Sequence, residues 1–179
     1  MLVFAAECGH LAVLKWLREA GCSSDATTCH AAARGGHLAV LQWLRAYGCP
    51  WSNWACRYAD EGGHLEVLRW AREHGCPWDE SQMCYIAAGG GNLEVLKWLR
   101  EAGCSSDATT CHDAARGGHL EVLQWAREHH CPWDASMCSI AAAGGHLQVL
   151  QWARAHGCGA RGTRRTFVHA PLQTGTWIC

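Results

Sequence analysis

The sequence is built from one eight-residue motif, Gly-His-Leu-x-Val-Leu-x-Trp, that returns at almost constant spacing. A variant with Asn in place of His begins at Gly91, and the other copies begin at Gly9, Gly36, Gly63, Gly118 and Gly145. Consecutive copies start 27, 27, 28, 27 and 27 residues apart. A fixed period of this length is typical of stacked repeats, in which each unit buries its apolar side against its neighbours. The chain is therefore predicted to form six similar units.

Each motif is predicted to open a helix, called here the second helix of its unit. In residues 37–47 the apolar positions form a stripe wider than a helix with one buried side needs, which indicates neighbours on several sides. Gly48 follows at the position where a left-handed residue commonly ends a helix. The same pattern predicts second helices that start near residues 10, 37, 64, 92, 119 and 146.

A shorter first helix is predicted before each motif, as at Thr27–Arg34. It is rich in alanine, and small side chains let neighbouring helices lie close together. Good capping residues precede four of these helices, at Asp25, Ser52, Asp107 and Asp134. Helix, Gly-Gly break, helix and short loop, repeated about six times over residues 1–158, predict an all-α solenoid.

Residues 27–37, TTCHAAARGGH, resemble the ankyrin signature TPLHxAAxxGH, and residues 38–44 resemble the second ankyrin helix with Trp43 in place of one Leu. The resemblance implies a curved stack of helix-loop-helix repeats that binds a protein partner. Ankyrin repeats are typically about 33 residues long, so these repeats of 27 residues shorten the loop that carries the family's projecting hairpin. Such short-loop repeats, rich in Trp and Cys, are similar to those of protist and large-DNA-virus proteins.

The resemblance also implies a contact surface, because ankyrin repeats bind through the concave face of their first helices and through loop tips. Trp, Tyr and Arg on such a surface are the usual hot-spot residues. A structural role stays open for Trp51 and Trp133, whose spacing to Cys56 and Cys138 is that of a hydrophobic staple. The predicted contact residues are Arg34, Trp51, Trp54, Arg57, Glu61, Trp78, Tyr85, Arg116 and Trp133.

The chain holds 13 cysteines, most of them in two series that follow the repeat. By resemblance they stand where ankyrin repeats place a small Ala and the Leu of TPLH, and free Cys behaves as a small buried hydrophobe. Zinc favours compact pairs, whereas Cys22 and Cys29 have six residues between them. No cofactor is predicted, and a zinc- or redox-responsive module stays open as an alternative function.

The recurring histidine at the start of the second helix is predicted to cap that helix or its neighbour, since Asn92 replaces it once. A catalytic His needs a positioned acid or nucleophile, and five equal copies argue against one active site. We therefore predict that the chain is not an enzyme. The TPLH histidine is kept only at His30 and His112, so a continuous histidine ladder is excluded.

Charge is low and balanced, with 15 basic and 16 acidic residues and a net charge of −1. This argues against a specific nucleic-acid partner, and no run approaches the roughly 20 apolar residues of a membrane helix. An Arg in the last turn of each second helix could bind an anionic polymer, a weaker alternative. We favour a solvated row balanced by glutamates. The arginines are Arg18, Arg45, Arg72, Arg100, Arg127 and Arg154.

The two ends differ from the repeat. Residues 159–179 are predicted to form an irregular basic tail, with Arg161, Arg164 and Arg165 and no acidic residue. Neither end shows the polar capping repeat that a solenoid needs, so we expect either a fragment of a longer array or the product of a truncated gene. The N-terminus has no basic segment typical of a signal peptide, which favours the reducing cytoplasm or nucleus and free thiols.

Overall fold

The computed structural model describes residues 1–105 and 107–158, and at residue 81 only the main chain. The predicted basic tail, 159–179, lies outside the described residues. Twelve helices and no strand occur in the described range, which confirms the all-α solenoid of six helix pairs. They are α1 (Leu2–Glu7), α2 (Leu11–Glu19), α3 (Ala26–Arg34), α4 (Leu38–Ala46), α5 (Asn53–Glu61), α6 (Leu65–Glu73), α7 (Glu80–Gly89), α8 (Leu93–Glu101), α9 (Ala108–Gly117), α10 (Leu120–Glu128), α11 (Ser136–Ala143) and α12 (Leu147–Ala155).

The odd-numbered helices are the first helices of the units and form one layer. Each packs directly on the next, from α1 on α3 to α9 on α11. Close packing is possible because the facing residues are alanines without side-chain bulk. These alanines have no exposed surface at all: Ala32, Ala59, Ala87, Ala114 and Ala141.

The even-numbered helices form the second layer and approach one another much more sparsely. Their buried side is made of larger residues, such as Leu41, Leu68 and Leu96, which fill the space between the two layers. A tight layer of small residues beside a wider layer of large residues makes each unit a wedge. The stack therefore curves, and the odd-numbered helices line its concave face.

A glycine and a histidine fasten each unit to the next. His64 Nε2 donates a hydrogen bond to the carbonyl oxygen of Arg34, at the end of α3, over 2.9 Å. Gly36, which has φ of +74°, lies under the same ring, and a Cβ there would come within 2.5 Å of it. Asn92 replaces the histidine at one junction and donates to the carbonyl oxygen of Asp60 over 2.6 Å. The predicted capping role of this position is confirmed, and its target is the helix of the preceding unit.

Of the four predicted N-cap residues of the first helices, two are confirmed and two are corrected. Asp25 and Asp107 accept hydrogen bonds from main-chain N–H groups of their helices, as predicted. Ser52 holds the cap position, but its hydroxyl pairs with His30 over 3.0 Å instead of with the helix. Asp134 lies one residue too early to be the cap residue of α11, although its carboxylate still accepts from the Ser136 N–H over 2.8 Å.

Candidate partner-binding site

An aromatic and charged cluster covers the concave face of the third unit. The rings of Trp54 and Tyr58, one turn apart on α5, lie 5.7 Å from each other. The Arg57 guanidinium lies 5.0 Å from the Trp54 ring and pairs with Glu61 over 3.0 Å. From the preceding unit, Arg34 lies 5.6 Å from the Tyr58 ring. The structure thus brings together four of the predicted contact residues, Arg34, Trp54, Arg57 and Glu61.

A groove lies beside this cluster, where the concave face has lost a side chain. Gly89 on α7 holds the position that carries Arg34, Glu61 and Arg116 in other units. The resulting cavity has a volume of about 340 Å³ and includes Tyr85 in its wall. Its lining is Glu61, Tyr85, Ile86, Gly89, Gly90, Asp113, Arg116 and Gly117.

The groove has an apolar floor and a charged rim. Ile86 also borders a second cavity of about 180 Å³, which reaches Trp54 and Arg57. Arg116 on the far rim is paired with Asp113 on the same helix, and both ends of the groove therefore carry an ion pair. Exposed ion pairs of this kind contribute little stability, so their charges can exchange partners at low cost.

The three loop tryptophans lie elsewhere, on the side of the even-numbered helices, and are half-buried. Trp78 is stacked on Arg72, with the guanidinium 4.2 Å from the ring, and it lies 5.8 Å from the ring of Trp98 in the next second helix. Trp51 and Trp133 have the same arrangement with their own Arg and Trp neighbours. The predicted site is thus divided into two separate groups, and the staple to Cys56 or Cys138 stays a prediction.

The recurring arginines make contacts that the sequence analysis did not predict, and their balance by glutamates stays a prediction. Five of the six lie against aromatic rings, which attract a cation through the negative potential of the ring face. Arg45 also donates a hydrogen bond to the carbonyl oxygen of Cys49, and Arg100 donates to that of His129. The five are Arg18, Arg45, Arg72, Arg100 and Arg127.

From the second unit onward, the cysteine of the first helix interacts with the cysteine that follows the second helix, rather than with one along the Cys-x6-Cys spacing. Cys29 on α3 and Cys49 after α4 are both buried and interact through their thiols. The Cys49 thiol donates to the carbonyl oxygen of Asp25 over 3.0 Å. The hydrogen bond to Cys49 and burial raise the pKa of Cys29, and burial raises the pKa of Cys84 to about 12. The Cys29 and Cys84 thiols are therefore protonated at neutral pH and pack as small apolar groups, whereas the hydrogen bond with Cys29 lowers the pKa of Cys49 to about 7. Over the described ranges no cluster of three potential metal ligands occurs.

One residue that the sequence analysis passed over is Asp60, a fully buried carboxyl group in α5. Neither of its oxygens has a hydrogen-bond partner among the described residues. Burial, with a smaller contribution from Glu61, raises its pKa to about 8. The signal was present in the sequence, since the equivalent positions hold Ala33, Ala88 and Ala115.

Comparison with known proteins agrees with this architecture. A family model described as ankyrin repeats in many copies matches residues 2–45, 54–100 and 111–154. Among solved structures, the human ASB11 ankyrin repeat domain superposes with a TM-score of 0.71 at 18% sequence identity. The match covers 90% of this chain and 85% of that one, and at this identity it establishes the fold alone. No curated protein matches the sequence.

None of the described helices is long and apolar enough to traverse a bilayer. Two features of the structure agree with the match to the ankyrin-repeat model. Histidines at the start of second helices cap the first helices of preceding units, and the first helices pack closely through small residues. The three matched segments together account for most of the 179 residues. The chain belongs to the ankyrin-repeat family.

Proposed function

We propose that this chain is a non-catalytic module that binds a protein partner through the concave face of α5, α7 and α9. The observation that carries the proposal is the groove at Gly89, which has an apolar floor and lies beside the exposed side chain of Trp54. Ankyrin repeats are generally protein-interaction modules, and the concave face is where this chain differs most from unit to unit.

The chemistry of the face suits a protein surface. Trp54, Arg57 and Tyr85 combine apolar area with polar groups, which is the composition of residues that dominate binding energy in interfaces. The groove can accept apolar side chains of the partner, while Glu61 and Arg116 offer one charge of each sign at its rim. We further propose that residues 1–158 are the binding unit and that the chain is a short-loop variant of its family. With no projecting hairpin, binding would then rest on the first helices.

The test uses a side chain that the fold already accepts. A Cβ at Gly89 would lie 3.5 Å from the Cβ of Asp113, an ordinary contact, so Gly89→Arg fills the groove without distorting α7. The matched control is Ala143→Arg, at the equivalent exposed position of α11. Each protein is immobilised and used to capture partners from the native source, and the retained proteins are quantified by mass spectrometry.

We expect one or more proteins to be retained equally by the wild-type chain and by Ala143→Arg, and at least tenfold less by Gly89→Arg. Binary binding with the purified partner should show the same order. Circular dichroism should give the same melting temperature for the two variants within a few degrees. Equal retention by Gly89→Arg, at full helicity, would contradict binding at this groove.

A further inference from the structure

The loops between units come in two kinds. Three loops contain a Trp whose ring lies between an Arg of the preceding second helix and a Trp of the following second helix. The guanidinium-to-ring distances are 4.3 Å for Arg45 on Trp51, 4.2 Å for Arg72 on Trp78 and 4.6 Å for Arg127 on Trp133. The first loop has Ser24 at this position and supplies no ring.

The walls of the tryptophan site are nevertheless present at the first loop. Arg18 lies 5.9 Å from the Trp43 ring, much as Arg72 lies 5.6 Å from that of Trp98. Beside Arg18 and the first loop there is an open cavity of about 320 Å³, called here the loop slot. It is lined by Arg18, Gly21, Cys22, Ser23, Ser24, Tyr47, Gly48 and Cys49.

The slot differs from a filled site at one wall. Tyr47 stands where later units carry His74 and His129, and it supports the Arg18 guanidinium at 4.2 Å from its ring. Arg18 is therefore held in place by the Tyr47 ring, and the first loop, with Ser24, supplies no second ring beside it. A preorganised guanidinium next to an open cavity requires little ordering when an aromatic ring enters.

We propose that the loop slot binds a tryptophan side chain presented by a protein partner, in the manner in which the chain's own Trp51, Trp78 and Trp133 fill the equivalent sites. Trp is the best ring for a guanidinium, and the serine hydroxyls of the loop can accept the indole N–H. The Arg18 guanidinium, the positive charge in the slot lining, already contacts the Tyr47 ring. The slot is therefore better suited to a neutral ring than to a polyanion. The inference rests on the proposed function only in taking the partner to be a protein.

The experiment uses N-acetyl-tryptophanamide as the probe and the full chain labelled with ¹⁵N. Chemical shifts of the main-chain amides of Arg18, Ser24 and Tyr47 are followed as the probe is added at millimolar concentrations. A site-resolved readout is needed because the loop sequence recurs at Cys104–Asp107. In the wild-type chain we expect saturable shifts confined to these amides and their neighbours.

Three variants decide the outcome. Ser24→Trp should fill the slot with the chain's own ring and abolish the shifts, as well as raising the melting temperature. Ala143→Arg, a control at the exposed position of α11 outside the slot, should leave binding within twofold of wild type. Arg18→Gln should weaken it at least fivefold. Unmoved Ser24 and Tyr47 resonances in the wild-type chain, or shifts that persist in Ser24→Trp, would overturn the proposal.

The result is separable from that of the groove. The slot experiment needs no partner, and Gly89→Arg leaves the slot unchanged. A chain that captures a partner through the groove but does not bind the probe would overturn the slot alone. A chain that binds the probe at the slot but loses no partner in Gly89→Arg would overturn the groove alone.

Discussion

Both helix layers must stack six units, and they do so with different kinds of side chain. The concave layer uses small residues and the other layer uses large ones. The concave layer uses alanines such as Ala87 and Ala114, which bring helix axes close together. The other layer leaves wide gaps and fills them with Arg and Trp, as at Arg72 and Trp78. In this chain the gap between neighbouring even-numbered helices is closed by these side chains.

The same difference supports the proposed division between residues for stability and residues for recognition. The outer Arg and Trp residues recur from unit to unit and contact each other across the junctions. The exposed positions of the concave layer change from unit to unit, from Arg34 to Glu61 to Gly89. In the proposed account, side chains that repeat stabilise the stack, and those that vary on the concave layer are the ones that contact a partner.

The largest expected effect concerns Asp60, a carboxyl group at a position where the equivalent residues in other units are alanines. Its pKa rises from an ordinary 3.8 to about 8 in the folded chain, so the folded state holds the proton more tightly than the unfolded state does. The stability linked to this proton is fully present below pH 4 and is lost as the pH rises through 8. We expect wild type to lose about 3–5 kcal/mol relative to Asp60→Ala between pH 4 and pH 8.

Urea unfolding of both proteins across this pH range measures that difference. Taking the difference between the two chains removes the contributions of all other titrating groups, which the variant retains. A constant difference across the range would mean that the buried carboxyl group has found a partner or water in solution.

A second prediction enlarges a side chain in the concave layer. Ala87→Leu should cost about 1–3 kcal/mol, because three extra carbons must be placed between α5, α7 and α9 where no space exists. Ala39→Leu, on the exposed side of α4, should change the free energy of unfolding by less than about 0.5 kcal/mol. Thermal melts followed by circular dichroism give the comparison, and similar losses for both variants would contradict the layer model.

A smaller effect is expected at the junction histidines. His119 Nε2 donates to the carbonyl oxygen of Gly89 over 2.9 Å, so His119→Ala should cost about 1 kcal/mol. His119→Asn should recover most of this loss, because Asn92 makes the equivalent bond at another junction. The His10 side chain is exposed and has no hydrogen bond among the described residues, so His10→Ala should be nearly neutral. A loss at His10 equal to that at His119 would argue against the junction role.

Much of the fold can be read from the sequence because it is local and repeated. The period predicts six helix pairs, and the second helices begin within a residue of their predicted starts. The groove at Gly89 is harder to predict, since it is formed by a missing side chain and exists only once α5, α7 and α9 are stacked. The stacks of Arg on Trp depend on the spacing of neighbouring second helices. The sequence around Arg72 and Trp78 does not reveal that spacing.

The most direct test of this account compares two tryptophans, one from each layer. Trp78 lies between Arg72 and Trp98 across a junction, whereas Trp54 is 45% exposed on the concave face. Free energies of unfolding are measured by urea titration for Trp78→Ala and Trp54→Ala. The account predicts a loss of about 1–2 kcal/mol for Trp78→Ala and less than about 0.5 kcal/mol for Trp54→Ala. An equal or larger loss for Trp54→Ala would contradict the separation of a structural outer layer from a recognition face.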